Sequence, residues 1–309
     1  MRRLIPLIFL LFSCGGDIPT SFSSRPHSSS GELFFSAPVS AWLSTDYTVD
    51  TEMGGVPILL YHNISRKTGK YSVSPDEFRR HLEMLWQNGF YPVNLSELLG
   101  GLGCVPAGKK PVVITFDDAR PTQFRYIIRG GSLVIDPLCA VGIMLDFHDR
   151  HPDFPARGVF FIPLDGTPFG QQKYIKRKIT ELSRLGFEIG NHTADHPNLR
   201  TVPEGKLGHE FGKVASFFER VLGFEARCFS GVAYPYGILP SVSVDSVRYR
   251  GRLYNISYAV GVNPVLCPSP KSREFSGSVM NLPRFEGTTR TIECLIRKNG
   301  IYISRGGRS

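Results

Sequence analysis

Two aspartates stand side by side at the end of an apolar run: VVITFDDAR, residues 112–120, carries Asp117 and Asp118. Adjacent carboxylates repel, and in a low-dielectric setting at least one tends to take up a proton unless a cation holds it ionised. A second cluster, GNHTADHPNL, places His192 and His196 four residues apart. That spacing turns both imidazoles to one side if the segment coils helically. Two histidines and a carboxylate make a three-ligand set with an open position, the arrangement that separates catalytic zinc from closed structural zinc. A divalent cation bound by Asp118 and the two histidines resolves the repulsion, because it keeps Asp117 ionised at neutral pH and ready to accept a proton from water. Neither piece is specific alone: such histidines also serve in surface hydrogen bonding, and Asp-Asp in turns and helix caps.

The elements that must position these residues are legible in the surrounding pattern. VPILLY, from Val56, is an apolar run of strand length, and SPDEFRRHLEMLWQNG after it carries helix punctuation. Ser74 can cap, Pro75 sits at the first helical position, Glu77 completes a capping box, and Gly89 can end the helix. Phe78, Leu82 and Leu85 then share a face. Strand-like runs recur at PVVIT, GVFFI, FEIGN, ISYAVGV and MNLPRF. Helical ones recur after Asp136-Pro137, in YIKRKITELSRLG and in KLGHEFGKVASFFERVLG, where Leu207, Phe211, Val214, Phe218 and Val221 align. Alternating strands and helices predict an α/β fold of parallel βα units, closed as a barrel or spread as a doubly wound sheet. Such folds carry their chemistry beyond the C-terminal ends of strands, where both charged clusters lie.

With 309 residues, 41% of them hydrophobic and 20% charged, the chain is long enough for one large α/β domain or two small ones. Its net charge of +9 is dispersed, which suits a solvated surface with some affinity for anionic envelope polymers, and no nucleic-acid motif or obligate protein partner is evident. MRRLIPLIFLLFSCGG sets two arginines before an apolar run too short to span a bilayer as a permanent helix, the pattern of an export signal. Leu11 to Cys14 resembles a bacterial lipobox, with Phe12 bulkier than usual. The alternative is a plain secretory signal in which Cys14 is incidental. On the first reading residues 1–13 are a lipoprotein signal peptide, Cys14 carries lipid, residues 14–53 are a Ser/Pro/Gly-rich tether and 54–309 are the folded domain, held on the membrane of a bacterial envelope. The remaining cysteines show no C-x-x-C spacing. Their number is odd, so at least one is free, and Cys139 is the expected buried thiol.

TFDD at 115–118, HTADH at 192–196 and AYPYG at 233–237 together resemble the metal-dependent polysaccharide deacetylases, the NodB-homology carbohydrate esterases. The likeness covers roughly Val56 to Arg284. It implies a distorted (β/α) barrel that removes N-acetyl groups from N-acetylglucosamine-containing polysaccharide with a divalent metal, zinc being expected. By this resemblance Asp117 is the general base, and Asp118, His192 and His196 bind the metal. Thr193 shapes the loop through its hydroxyl, and the Tyr236 amide stabilises the oxyanion.

Two departures from that family matter. Many members have an arginine that orients the base where Ala233 stands here. Arg284 in NLPRF is a candidate replacement, grouped with the substrate-facing residues, and a surface arginine is the alternative. Many members also carry a general-acid histidine late in the chain, in Leu-x-His, yet no histidine follows His209. Leu60-Tyr61-His62 has that pattern at the N-terminal end, as in the circularly permuted deacetylases acting on poly-N-acetylglucosamine. His62 is therefore assigned as the acid, against a purely local hydrogen-bonding role. Arg120 is expected to contact substrate or brace Asp117, and the long segment 120–158 to roof the groove or add packing. A non-catalytic carbohydrate-binding lipoprotein of the same fold is the rival reading, and Ala233 is its best support.

Overall fold

The computed structural model describes residues 51–67, 69–223 and 231–307. Eight parallel strands form one curled sheet: β1 (Ile58–Tyr61), β2 (Phe90–Val93), β3 (Lys110–Phe116), β4 (Val159–Ile162), β5 (Glu188–Asn191), β6 (Gly231–Ala233), β7 (Tyr258–Val260) and β8 (Phe285–Glu286). Their order is β7-β6-β5-β4-β3-β1-β8, with β2 beside the first half of β3. Helices α1 (Pro75–Gln87), α2 (Leu95–Leu99), α3 (Ala140–Arg150), α4 (Ile175–Arg184) and α5 (Glu204–Leu222) follow β1 to β5 in turn. Helix α6 (Arg273–Ser278) precedes β8 and α7 (Thr289–Arg297) follows it. This is the distorted (β/α) barrel expected from the sequence.

One segment joins the two ends of the sheet. Leu282 N donates to Ala259 O of β7 at 2.8 Å, and Gly261 N donates to Leu282 O at 2.9 Å. Three residues on, Phe285 and Glu286 pair with Leu59 and Leu60 of β1. First and last strands are therefore neighbours, and Arg284 lies between the two seams. The expected strand at MNLPRF shrinks to this two-residue β8, because Val279–Asn281 coil into a 3₁₀ turn and Pro283 has no amide to continue a ladder.

Continuous apolar runs become strands buried on both faces, as parallel sheets require. Leu59, Tyr61, Val112, Ile114 and Phe116 pack with Phe78, Leu82 and Leu85 of α1 and with α3. The alternate positions Ile58, Val113, Val159, Phe161, Tyr258 and Val260 form a second cluster within the curl. Thr115 and then Asp117 continue the face of Val113. Helix α1 is capped as expected by Ser74 Oγ, which accepts from Glu77 N at 3.1 Å. Glu77 does not return the bond, because its carboxylate takes the Thr289 hydroxyl of α7 at 2.8 Å.

Segment 120–158 is a hairpin, Tyr126–Arg129 with Ser132–Ile135, followed by α3 packed on α1. Gly130 and Gly131 turn it at φ 57° and 78°, where a side chain is strained. Strand β2 and a second hairpin, Ser246–Tyr249 with Arg252–Asn255 against α5, have no counterpart among the sequence expectations. Thr51–Met53, expected in the tether, already belong to the folded unit: Glu52 O accepts from Ser269 Oγ, and its carboxylate pairs with Lys271. Cys139 is buried and free, as is Cys267, and the described residues contain no disulfide. No described helix is long and apolar enough to cross a membrane. Cys14, the signal segment and the tether up to residue 50 lie outside the described residues.

Helix α1 buries His81 between the Tyr61 hydroxyl, 3.1 Å from Nδ1, and the Thr289 hydroxyl, 3.0 Å from Nε2. Burial pulls its pKa down to about 4 against a weaker upward pull from Glu77. In the unfolded chain histidine titrates near ~6.5, so the unfolded state takes the proton first. Stability from neutral His81 is full above that value and lost as pH falls toward 4. Between pH 7 and pH 4.5 the wild type should lose on the order of 2–3 kcal/mol more than His81→Gln, read from urea unfolding at both pH values; equal losses would show that His81 takes no part.

Candidate metal centre and catalytic pocket

Strand pleating sends successive side chains to opposite faces, so two aspartates continuing β3 would point apart. The backbone prevents this by turning left-handed at Asp118 and Ala119, with φ of 73° and 44°. Both carboxylates then face one histidine: His192 Nε2 is 3.9 Å from Asp117 Oδ2 and 3.4 Å from Asp118 Oδ1.

Asp118, His192 and His196 bring three ligand atoms together. Asp118 Oδ1 is 3.4 Å from His192 Nε2 and 3.4 Å from His196 Nε2, and the two nitrogens are 3.2 Å apart. A tetrahedral ion with bonds of about 2.0–2.1 Å separates its ligands by roughly 3.3–3.4 Å, so these atoms fit a divalent cation with one position open. His192 Nδ1 is taken by Ala233 O at 2.8 Å, which fixes the tautomer that presents Nε2 to the site. The backbone of Ala233 thus orients one of the three candidate ligands. The other oxygen of Asp118 receives Arg120, from Nη2 at 2.8 Å and Nε at 3.1 Å. Arg120 therefore braces Asp118 and not Asp117.

The histidines do not meet through helical coiling. The loop beyond β5 is irregular, and Thr193 and His196 adopt φ of 69° and 49°, conformations that cost roughly 1–3 kcal/mol each in a non-glycine residue. Thr193 Oγ1 accepts from His196 N at 3.1 Å, and Thr193 is fully buried. Its hydroxyl shapes the loop as expected, but it does not line the surface open to substrate.

Arg284 also leaves the substrate-facing group. It is 0% exposed, and its guanidinium forks onto Asp117, Nη1 to Oδ1 and Nη2 to Oδ2, both at 2.7 Å. Nε donates to Gly261 O at 2.8 Å and Nη1 also to Thr115 Oγ1 at 3.1 Å, while Phe161 lies beneath. The surface-arginine alternative is thereby overturned: Arg284 orients Asp117 from the barrel seam, the placement expected of a replacement for an arginine at position 233. Burial pushes the Asp117 pKa up, but Arg284 and His192 more than offset it and hold the carboxyl below its ordinary range. Burial likewise raises that of Asp118, and His192, His196 and Arg120 bring it far below. Burial lowers the His192 pKa, and the two aspartates overcome this and leave it raised.

His62 follows β1, whose register with β3 pairs Tyr61 with Phe116, so His62 stands at the level of Asp117. One side chain ties the two ends together: Gln123 Nε2 donates to His62 O at 2.7 Å and to Asp117 O at 2.5 Å. Nothing in the spacing of the sequence marks Gln123 for this. The His62 ring packs on Tyr71, centroids 4.9 Å apart, and its Nδ1 is buried without a protein partner. Tyr236, with φ 60° and 67% exposed, packs edge-on against His196 at 4.9 Å. Exposed Tyr71 and Tyr236 thus pack on His62 and His196 respectively, offering flat apolar faces next to polar groups.

Residues 160–253 match the sequence model of the polysaccharide deacetylase family. The matched stretch contains His192, His196 and AYPYG, whereas His62, Asp117 and Asp118 lie before it. No curated protein matches the sequence. Among solved structures, the Streptococcus pyogenes deacetylase PplD in complex with acetate is 19% identical with a TM-score of 0.58, over 79% of this chain and 97% of that one. IcaB from Ammonifex degensii is 18% identical with a TM-score of 0.54, over 79% and 96%. A de-N-acetylase from Aggregatibacter actinomycetemcomitans is 15% identical with a TM-score of 0.51, over 77% and 98%. At these identities the likeness is one of fold.

Removing the guanidinium should strand a buried carboxylate. Arg284→Met is expected to cost on the order of 3–5 kcal/mol at neutral pH, and Asp117→Asn added to it should restore more than half. Chemical denaturation of the two single variants and the double variant measures this, and additive losses would mean that the pair is not coupled.

Proposed function

We propose that this chain is a metal-dependent polysaccharide deacetylase that removes N-acetyl groups from an N-acetylglucosamine-containing polymer, with its Leu-x-His motif at the N-terminal end. The observation that carries the reading is the convergence of Asp118, His192 and His196 beside a carboxylate held ionised by Arg284. The family match over residues 160–253 gives this chemistry its direction. Arg284 also removes the main support for a non-catalytic binding protein, since the charge absent at Ala233 is supplied from elsewhere.

Asp118, His192 and His196 would hold a divalent cation, zinc by expectation, which would supply a Lewis acid for the acetyl carbonyl and lower the pKa of water. Asp117 accepts a proton from the attacking water as that water's oxygen bonds to the acetyl carbon, while Arg284 keeps both carboxylate oxygens in place. The Tyr236 amide donates to the oxygen on which charge develops. His62 gives a proton to the sugar nitrogen as the C–N bond breaks, so the products are acetate and a free amine. Tyr71 and Tyr236 offer faces on which neighbouring sugar rings can rest.

Acetate release from N-acetylglucosamine oligomers, with and without a chelator, tests the reading. Wild-type turnover should vanish on chelation and return with Zn²⁺. Asp118→Ala should lose both metal and turnover, whereas Asp117→Asn should keep the metal and hydrolyse poorly. His62→Ala should keep fold and metal and lose ~10²-fold or more in turnover, with a smaller loss on activated aryl acetates whose leaving groups need no proton. A chelated enzyme at full rate, or His62→Ala at full amidase rate, would overturn the metal role or the acid assignment respectively. We further propose that the protein is exported and lipid-anchored through Cys14, which rests on the basic and apolar leader and the Leu11–Cys14 motif. Mass spectrometry of the mature N-terminus should find diacylglyceryl on Cys14; an unmodified N-terminus beginning elsewhere would remove the anchor.

A further inference from the structure

The two metal-site histidines come from a loop with no regular structure, held by left-handed backbone at Thr193 and His196. Such conformations persist only where the surroundings over-determine them. Three consecutive residues of α5 supply that constraint. His209 Nε2 lies 3.1 Å from Asp195 Oδ2. Glu210 Oε2 accepts from Ala194 N at 3.2 Å and from Asp195 N at 3.1 Å. Phe211 O accepts from Asn191 Nδ2 at 2.8 Å, and Asn191 Oδ1 in turn accepts from Thr193 N at 2.9 Å.

These three contacts differ in weight. The His209–Asp195 pair is exposed and screened by water. The Phe211 carbonyl belongs to the main chain and is indifferent to the side chain at that position. Glu210 is buried, and one of its oxygens takes two successive amides in the middle of His192-x-x-x-His196. A carboxylate is the fitting group there, because it accepts without offering a proton and binds amides about twice as strongly as a neutral acceptor. Asp195, His209 and Glu210 also lie within ligand range of one another. However, Lys213 Nζ stands 3.5 Å from Asp195 Oδ1, and the two amides already face Glu210. The cluster therefore fastens the loop and is not a second cation site.

We infer that Glu210 is a positioning residue for the metal centre, holding the 192–196 loop from behind so that His192 and His196 converge. The inference rests on the metal reading above and adds a residue that touches neither ion nor substrate. Without Glu210 the Ala194 and Asp195 amides lose their acceptor, the left-handed turns relax, and the two imidazoles separate.

The test compares full-length wild type with Glu210→Gln and Glu210→Leu. Amide hydrogen exchange of Ala194 and Asp195 is measured in metal-free protein, and zinc affinity by competition with a chromophoric chelator. Acetate release is then followed at saturating zinc. Glu210→Leu should speed exchange at both amides at least ~10-fold and weaken zinc binding ~10–100-fold, the usual scale for groups supporting metal ligands, with Glu210→Gln between it and wild type. Saturating zinc should recover most of the turnover at unchanged KM. Wild-type exchange rates, or zinc affinity within threefold of wild type, in a folded Glu210→Leu would overturn the inference; if that variant does not fold, wild-type exchange at both amides in Glu210→Gln does so. Wild type that binds zinc without releasing acetate would remove the functional reading and leave the clamp standing, whereas wild type with no zinc affinity would remove both.

Discussion

The structure turns on a buried ion pair. Arg284 donates two hydrogen bonds to Asp117 in a setting where neither could be left alone, since breaking a desolvated pair on one side leaves an uncompensated charge. A buried pair is poor evidence of stabilisation compared with apolar side chains of the same volume. Here its benefit is chemical: the carboxylate stays ionised at the end of a barrel strand, pointing inward, and cannot rotate. Thr115 below it, Phe161 beneath the guanidinium and the Gly261 carbonyl define the one orientation in which the fork closes.

Around that pair, the site is assembled by departures from regular backbone. Asp118, Ala119, Thr193, His196 and Tyr236 all have positive φ without being glycine. Each departure re-aims a group that strand or helix geometry would have sent elsewhere. At Asp118 the turn cancels the pleat and brings adjacent carboxylates to one side. At Thr193 and His196 it replaces the helical coil that the four-residue spacing suggested. The rigid elements behind these turns, β3, β5 and α5, hold the strained segments in place.

Much of the fold was legible because its determinants are local. The run VPILLY, the Ser74-Pro75 start of α1 and the aligned apolar residues of α5 each declare their element within a few residues. The candidate ligands were legible because Asp-Asp and His-x-x-x-His are short patterns placed after strands. What escaped depends on distance in the chain. Arg284 was only one of two open readings, because its partner is 167 residues away. Gln123, which pins the carbonyls of His62 and Asp117, has no spacing signature, and the left-handed turns fall on residue types that carry no mark for them. Strand β2 was missed because Pro92 interrupts a four-residue run, which reads as a breaker in a sequence and is tolerated at a strand paired on one flank only.

The seam at 282–286 has a consequence for the charge of Asp117 during synthesis. The segment that joins the barrel's ends also delivers Arg284, so the charge partner of Asp117 arrives with the last strand. A chain emerging from its N-terminus holds both aspartates, both loop histidines and His62 well before residue 284 exists. Pairing across so long a separation is entropically late in folding. Until it happens the nascent barrel carries an unpaired carboxylate, which in an apolar setting is driven toward its neutral, non-basic form. The pairing of this buried carboxylate is thereby tied to closure of the barrel.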